Sequence, residues 1–324
     1  MKSSARLFIV VIALLLSFRG PANAAQPSSN EFFAMDTIAN GEPAAVARML
    51  KDLGYDGIGG GLDEATPAAI ASVGLKLYTA YHVITLVAGQ EVVSVPIKRW
   101  LEARHFAGSA LWLAIERVST GETSNRAATY PANEAVVITQ IRELAAQAGA
   151  AGKSISLYPH TGYWLEHFDD AVQLVEKIDR PNVSVTFNLC HWLKTEGSTR
   201  DPLPLLRAAL PHLAFVTING SDSGNTQKMD WDQLIQPLGA GSYDVATFVR
   251  RLRGAGYHGP FGFQGYGIKG DAHSVLARTM SAWRRISALS PASNEQVFRA
   301  YCLPSQSGSH GLANSAVSIA LSAH

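Results

Sequence analysis

The sequence of 324 residues predicts an α/β fold of the (β/α)₈ barrel class, and three observations lead to this prediction. Short β-branched and apolar runs alternate with amphipathic stretches, eight such strand–helix pairs follow one another, and most of the helical stretches end at a Gly. Eight is the number of parallel strands that closes such a sheet into a barrel. An open, doubly wound sheet is the alternative. That fold is expected to have a glycine-rich, phosphate-binding turn after its first strand, and residues 36–41 do not contain one.

The region 154–191 shows the repeating unit most clearly, because two short β-rich runs flank a stretch with apolar residues at helical spacing. Its two strands should be parallel, so their carboxyl ends should meet at one edge. We expect a single barrel domain over residues 31–289. The predicted strands are 32–38, 57–62, 75–83, 110–116, 155–157, 183–187, 213–219 and 260–264. The predicted helices are 43–53, 67–73, 96–105, 133–148, 166–178, 202–210, 243–254 and 272–289, and a polar loop over 220–238 is long enough to be a lid.

Both ends of the chain differ from this pattern. Lys2 and Arg6 precede an apolar run over residues 7–18, and Ala22-Asn23-Ala24 follows, which predicts a signal peptide over residues 1–24. We therefore expect an exported protein, periplasmic or secreted, with no stable membrane insertion after cleavage; an uncleaved anchor is the alternative. Residues 290–324 are rich in Ser, Ala and Gly and predict a flexible C-terminal tail.

The composition excludes some functions. A formal net charge of +1, with no basic stretch among aromatic residues, argues against a nucleic-acid surface. Cys190 and Cys302 are the two cysteines. They could pair after export, but their positions, one at a strand end and one in the tail, favour two free thiols.

Two histidines follow the strands of the central unit, His160 after the fifth strand and His191 after the sixth. Histidine titrates near neutral pH and can take a proton from a carbon next to a carbonyl or return one. Two such groups on opposite faces of a substrate could move that proton from one face to the other. Glu116, at the predicted end of strand four, is the third catalytic candidate. The alternative for each histidine is to cap a strand end or to bind a substrate hydroxyl.

Other polar and aromatic residues at the predicted strand ends are candidates for binding a substrate through hydrogen bonds or ring stacking. Lys194 could anchor a phosphate or be only a surface charge. The substrate-binding candidates are His82, Tyr158, Asn188, Lys194, Asn219, Gln264 and Tyr266. Asp36 and Asp63 are further carboxylates at the ends of strands one and two.

The chain resembles the sugar phosphate isomerase/epimerase family, the xylose isomerase-like TIM barrels. The likeness spans about residues 32–286. It is carried by Tyr158-Pro159-His160-Thr161-Gly162, Phe187-Asn188-Leu189-Cys190-His191-Trp192, Ile218-Asn219-Gly220 and Phe263-Gln264-Gly265-Tyr266-Gly267. The resemblance implies the TIM barrel fold and a small-molecule carbohydrate as the partner. It does not indicate one substrate, nor an oligomeric state.

Members of that family commonly hold a divalent metal ion with Glu, Asp, His and Glu residues after strands five to eight. Here Tyr158 (or His160), Asn188, Thr217 or Asn219, and Gln264 stand at those positions. The metal is therefore implied less firmly than the fold. Glu116, His160 and His191 are the metal candidates that remain, and His82 is a further one.

The resemblance implies a sugar isomerase or epimerase that works by proton transfer next to a carbonyl. A keto-sugar lyase or hydratase would use the same proton abstraction. A non-catalytic carbohydrate-binding barrel that has lost the family metal site is the competing class. A glycoside hydrolase requires two facing carboxylates, and Glu116 has no obvious partner.

Overall fold

The computed structural model describes residues 30–39, 41–62, 65–119 and 126–289. The predicted signal peptide over 1–24, the tail over 290–324, Asp63 and Cys302 lie outside the described residues. Their assignments remain predictions.

The fold is a closed ring of eight parallel strands with helices outside it, as predicted. The ring closes because β8 pairs with β1, with Phe261 opposite Phe32. The strands are β1 Phe32–Met35, β2 Gly57–Gly60, β3 Lys76–Val87, β4 Ala110–Ser119, β5 Ser154–Leu157, β6 Val183–Asn188, β7 Leu213–Ile218 and β8 Phe261–Phe263. The α-helices are α1 Pro43–Leu53, α2 Ala65–Ser72, α3 Val95–Glu102, α4 Arg126–Ala150, α5 Phe168–Ile178, α6 Leu189–Glu196, α7 Leu203–Ala209, α8 Trp231–Leu234, α9 Val245–Gly254 and α10 Ala272–Ala288.

Aromatic side chains fill the inside of the barrel below its mouth. Phe33 lies at the centre and stacks on Tyr78 with ring centroids 4.6 Å apart. Gly59 and Gly262 make room for this ring, because a Cβ at either position would lie within 3 Å of Phe33 atoms. Trp112 and Tyr158 pack above it and are fully buried. The inner core therefore forms a solid floor, and ligands can enter only from the carboxyl ends of the strands.

The larger core lies between the sheet and the helices, and several helix ends are fixed by local hydrogen bonds. The Glu42 side chain accepts from the Ala45 N–H at the start of α1, and Gly54 ends that helix at a positive φ of 88°. None of the described helices is long and apolar enough to cross a membrane.

The structure differs from the sequence prediction at three places near the mouth. A helix, α6, begins at Leu189 directly after β6, where we expected a polar loop. Strand β4 continues to Ser119, so Glu116 lies within the strand and not at its end. The predicted lid over 220–238 contains the short helix α8 and a 3₁₀ turn at Thr226–Lys228.

Candidate active site at the barrel mouth

A cavity of about 520 Å³ opens at the carboxyl ends of the strands. Its walls are mostly aromatic, and its polar groups are few. The aromatic lining residues are Tyr81, Trp112, Tyr158, Tyr163, Trp231 and Tyr266, and the polar ones are Asp36, Thr37, His160, His191 and Gln264. Of the described residues that line it, none is Lys or Arg. The cavity therefore suits an uncharged ligand with both hydroxyl groups and apolar faces.

His160 and His191 lie side by side in this cavity, with ring centroids 4.1 Å apart and ring planes inclined by 47°. His160 follows β5, and His191 lies in the first turn of α6. Asn188 places the second ring, because its side chain accepts from the Cys190 and His191 N–H groups and caps the helix. Tyr163 stacks on His160 at 4.1 Å. The two imidazoles thus belong to one wall of the cavity and would meet one face of a ligand.

The backbone of Thr161 sets opposite tautomers in the two rings. The Thr161 carbonyl oxygen lies 2.9 Å from His160 Nδ1, and a carbonyl can only accept. His160 Nδ1 therefore carries the hydrogen, which leaves a lone pair on Nε2. His191 Nδ1 lies 3.4 Å from the Thr161 N–H and 3.2 Å from the Thr161 hydroxyl. A backbone N–H can only donate, so Nδ1 is assigned as the acceptor and the ring hydrogen is placed on Nε2. His160 Nε2 can therefore act as a base, and His191 Nε2–H can act as a hydrogen-bond donor.

Burial keeps both imidazoles neutral. Desolvation lowers the pKa of His160, although the Thr161 carbonyl and the Glu166 carboxylate act in the opposite direction. Desolvation and then the neighbouring His160 hold the pKa of His191 well below 6.5. Near neutral pH, His160 is therefore available to accept a proton and His191 to donate a hydrogen bond.

Three further side chains near the histidines are neutral. The Asn188 Nδ2 group donates to the Tyr158 hydroxyl oxygen. The Gln264 side chain also lines the cavity, and its Oε1 atom accepts from the Tyr266 N–H at 3.1 Å and the Thr37 hydroxyl at 3.2 Å. Burial raises the pKa of Tyr158 well above 10, so its phenol keeps its proton.

The segment around α8 covers this wall. Trp231 sets the edge of its ring against His191, with centroids 5.5 Å apart. Lys194 Nζ donates to the Met229 carbonyl at 2.6 Å and lies over the Trp231 ring at 5.8 Å. Asn219 Nδ2 donates to the Leu234 carbonyl at 2.6 Å. Lys194 and Asn219 therefore hold the covering segment and do not line the cavity.

Two other predicted site residues also lie outside the cavity. Tyr81 and Val83 line it from β3, so His82 between them points to the opposite face, where its Nε2 lies 3.4 Å from Ser94 Oγ. Glu116 does not line the cavity. Strand β4 has a register shift beside it, since Ile84 pairs with Ile115 and Thr85 with Arg117. The structure thus brings together Tyr158, His160, His191, Gln264 and Tyr266, with Asn188 behind them, and leaves His82, Glu116, Lys194 and Asn219 outside.

Residues 97–285 match a sequence model of the xylose isomerase-like TIM barrel family, and this match covers more than half of the chain. The chain belongs to that family. This membership confirms the family that the sequence analysis predicted.

Several solved structures are similar to the chain. The 3-keto-D-glucoside 4-epimerase from E. coli is 18% identical with a TM-score of 0.60, over 79% of this chain and 99% of the other. The D-allulose 3-epimerase from Methylomonas sp. is 18% identical with a TM-score of 0.57, over 80% of this chain and 98% of the other. The IOLI protein with a bound zinc atom is 13% identical with a TM-score of 0.61, over 80% and 98%. At these identities the likeness shows the fold alone. No curated protein matches the chain.

The residues at the family's metal positions do not fit a divalent cation. Tyr158, Asn188 and Gln264 are neutral, and both amide oxygens already accept from backbone N–H groups. Glu116 lies outside the cavity, so it does not join His160 and His191. Among the described residues, the three-ligand group that could hold an ion is His167, Asp169 and Glu196, with ligand atoms within 4.8 Å of one another. That group lies outside the cavity, and Arg200 already bridges its two carboxylates.

The sequence analysis missed several cavity residues. Tyr81 was overlooked because its neighbour His82 was chosen as the site candidate. Adjacent residues of a strand point to opposite faces, so only one of the two can line the cavity. Trp112 lies in a continuous buried run of β4, where no alternation marks the inner side. Trp231 lies in the covering segment, whose position depends on contacts that are distant in sequence.

Proposed function

We propose that the chain is a sugar isomerase/epimerase-like enzyme that moves a proton on the carbon next to a carbonyl of an uncharged sugar. The observation that carries the proposal is the pair of adjacent imidazoles with opposite tautomers in an enclosed, aromatic cavity. His160 is the base and His191 the hydrogen-bond donor. The predicted export, which would place the enzyme among free sugars, is part of the proposal and depends on the leader sequence alone.

The first step is the removal of a proton from carbon. The His160 Nε2 lone pair takes the proton, and the electron pair of the broken C–H bond forms the C=C bond of an enediolate. The electrons of the carbonyl π bond move to oxygen, where the His191 Nε2–H group donates a hydrogen bond to the developing charge. His160 then returns the proton to the former carbonyl carbon, and the hydroxyl proton on the first carbon's oxygen passes to the charged oxygen. The first carbon then carries the carbonyl and the second the hydroxyl, which completes an isomerisation.

The placement of both histidines on one wall favours proton transfer on a single face of the substrate. Inversion of a stereocentre would require a second group on the opposite wall. Strand β1 is four strands from β5 in the ring, and Asp36 lines the cavity just beyond β1. Asp36 is therefore the group that an epimerase reaction would use, and same-face isomerisation is the simpler reaction for the two imidazoles.

The lining also supports an uncharged substrate. A sugar phosphate or a sugar acid would need a cationic partner, but the described lining residues include no Lys or Arg and do include Asp36. Lys194, the candidate phosphate anchor, is bonded to the Met229 carbonyl. Aromatic rings such as Trp112 and Tyr163 would contact the C–H faces of a pyranose or furanose.

A non-catalytic carbohydrate-binding barrel is the second candidate, because amides stand where the family has carboxylates. Exchange of substrate C–H for deuterium separates the two. The purified protein would be incubated in D₂O with a panel of uncharged aldoses, ketoses and 3-keto-glycosides, and signal loss at the carbon next to the carbonyl followed by NMR.

We expect exchange with at least one uncharged sugar, and a loss of about 10²- to 10⁴-fold in its rate for His160→Gln. His258→Gln is the matched control, because His258 is exposed and precedes β8 at the other end of the barrel. A sugar that binds tightly but never exchanges would favour the binding protein. Equal rates for wild type and His160→Gln would exclude His160 as the base.

A further inference from the structure

Three of the residues at the family's metal positions lie together at the barrel mouth. Tyr158 follows β5, Asn188 ends β6 and Gln264 follows β8, so they come from three strands of the ring. All three are buried, with exposed fractions of 1%, 4% and 5%. Buried polar groups of this kind need defined partners, and their orientation can be deduced from those partners.

Backbone N–H groups fix the orientation of Asn188. Its Oδ1 atom accepts from the Cys190 N–H at 3.1 Å and from the His191 N–H at 3.4 Å. Backbone N–H groups can only donate, so Oδ1 must face them. The Nδ2 group is thereby turned to the Tyr158 hydroxyl, to which it donates.

The same reasoning fixes Gln264. Its Oε1 atom accepts from the Tyr266 N–H, which turns its Nε2 group to Tyr158. The phenolic oxygen of Tyr158 accepts from the Asn188 amide, and its O–H donates to no described residue. That O–H therefore remains to donate to a ligand.

We propose that Tyr158, Asn188 and Gln264 form an oxyanion site that takes the place of the family's divalent metal. The Tyr158 O–H, polarised by the Asn188 amide, donates to the substrate oxygen that becomes negative when His160 removes the proton. This inference rests on the proposed function, since it assigns a second donor, beside His191, that stabilises the enediolate. The ligand class is an enolate or enediolate oxygen of an uncharged sugar.

The chemistry of the site agrees with this role and disagrees with a cation. Burial raises the pKa of Tyr158, so the phenol stays a donor, while the Asn188 hydrogen bond acts against that rise and stabilises charge on its oxygen. The Tyr158 O–H directs the positive end of its dipole at the ligand position, which disfavours a metal ion and favours an anion. Thr217, opposite Asn188 on β7, adds a buried hydroxyl that has no hydrogen-bond partner among the described residues.

Binding of an enediolate mimic tests the site without depending on turnover. D-Threonohydroxamate would be titrated calorimetrically into the full protein in excess EDTA. We expect binding that EDTA does not weaken and that Tyr158→Phe weakens by roughly 10- to 100-fold, as for a lost hydrogen bond to a charged group. Tyr55→Phe is the control, because Tyr55 is also buried but donates to the Leu276 carbonyl on α10. Loss of binding in EDTA, equal binding by Tyr158→Phe, or no binding at all would overturn the proposal.

A gain of metal binding tests the same inference from the opposite direction. The variant Asn188→Asp/Gln264→Glu keeps the acceptor oxygens for the backbone N–H groups and adds two carboxylates. We expect it to bind Mn²⁺ measurably by titration, whereas the wild type does not bind at the mouth. Stoichiometric Mn²⁺ binding by the wild type that the hydroxamate or a Tyr158→Phe change alters would contradict the oxyanion site.

These measurements also separate the two proposals. Hydroxamate binding that depends on Tyr158, without deuterium exchange in any sugar, would leave the oxyanion site standing and overturn the enzyme. Deuterium exchange that EDTA abolishes would leave the enzyme standing and overturn the metal-free site.

Discussion

The two ends of helix α6 carry two polar clusters of opposite character. At its first turn, Asn188 and His191 belong to a buried group in which every member is neutral. At its last turn, the Glu196 carboxylate bonds His167 Nδ1 at 2.6 Å and also pairs with Arg200. The Arg200 side chain is 45% exposed. The eight-residue helix α6 thus carries a neutral, buried cluster at its start and a charged, partly exposed cluster at its end.

The difference follows from the cost of burying charge. A charged group in a dry interior needs a partner that offsets its lost hydration, whereas a charged group at the surface keeps part of its water. The charged cluster has the three-ligand geometry of a metal site, but Arg200 occupies its carboxylates and it lies outside the cavity. The neutral cluster faces the cavity, and burial there lowers the histidine pKa values. The density of ionisable groups is therefore a poor guide to the active site in this protein.

The largest expected effect compares the two histidines that belong to these clusters. His191→Gln removes the Nε2–H donor and should lower the rate of deuterium exchange by about 10²- to 10³-fold, the usual loss for an oxyanion donor. His167→Gln changes the same residue type at the other end of the helix and should leave the rate within about twofold, because His167 does not line the cavity. NMR exchange rates at saturating sugar measure both. Similar losses of exchange rate in His191→Gln and His167→Gln would show that the two clusters do not differ in function.

The second effect concerns stability. Asn188→Ala removes the helix cap and leaves the Tyr158 hydroxyl without its Asn188 donor, so we expect a decrease of about 2–4 kcal/mol in the free energy of unfolding. Asn188→Asp retains an oxygen for the Cys190 and His191 N–H groups and should lose less. Urea unfolding curves with a common m-value measure the difference. An Asn188→Ala protein as stable as the wild type would show that the buried cluster contributes little to the fold.

Acid provides a third way to compare the clusters. The native pKa values of His160 and His191 are lowered from 6.5, so stability from this pair is fully present above about pH 6.5. As the pH falls below 6.5, the unfolded chain binds protons that the native pair does not. The free energy of unfolding should therefore drop by up to about 1.4 kcal/mol per pH unit for each histidine.

Urea unfolding midpoints between about pH 7.5 and pH 5, a range around the ordinary histidine pKa, would measure this acid limb, which is the fall in stability at low pH. His191→Gln should show a shallower acid limb, since one of the two groups is gone. A limb of unchanged slope in that variant would assign the acid sensitivity to other groups. The exchange rate should fall in the same direction, because protonated His160 has no lone pair for the substrate.

The fold was predictable because eight repeats of one pattern allow few architectures, and each repeat is local in sequence. The convergence of His160 and His191 was also predictable, since both follow neighbouring parallel strands. Their position on one wall was not, because α6 begins at Leu189 without the loop that the sequence suggested. The wrong prediction that Glu116 ends its strand and belongs to the site has a different cause. A register shift within a long strand depends on the pairing partner, and no local signal marks it.

The candidates that lie outside the cavity show where tertiary contacts decide the role of a polar residue. Lys194 and Asn219 are close to the mouth in sequence, but each bonds a carbonyl of the covering segment. Such bonds depend on where residues 220–238 fold back, which local propensity does not determine. His82 could have been excluded by counting faces along β3, since Tyr81 and Val83 share the inner face.

The smallest effect is expected at the charged cluster. Arg200→Met removes the ion pairs with Glu196 and Asp169, which are partly exposed, and should cost no more than about 1 kcal/mol of stability. The loss should shrink further in high salt, because ions screen such pairs. The change also frees the carboxylates beside His167, so Zn²⁺ should raise the melting temperature of Arg200→Met more than that of the wild type. A loss several times larger than 1 kcal/mol, or one that salt does not alter, would mean that this cluster supports the fold as strongly as the buried one.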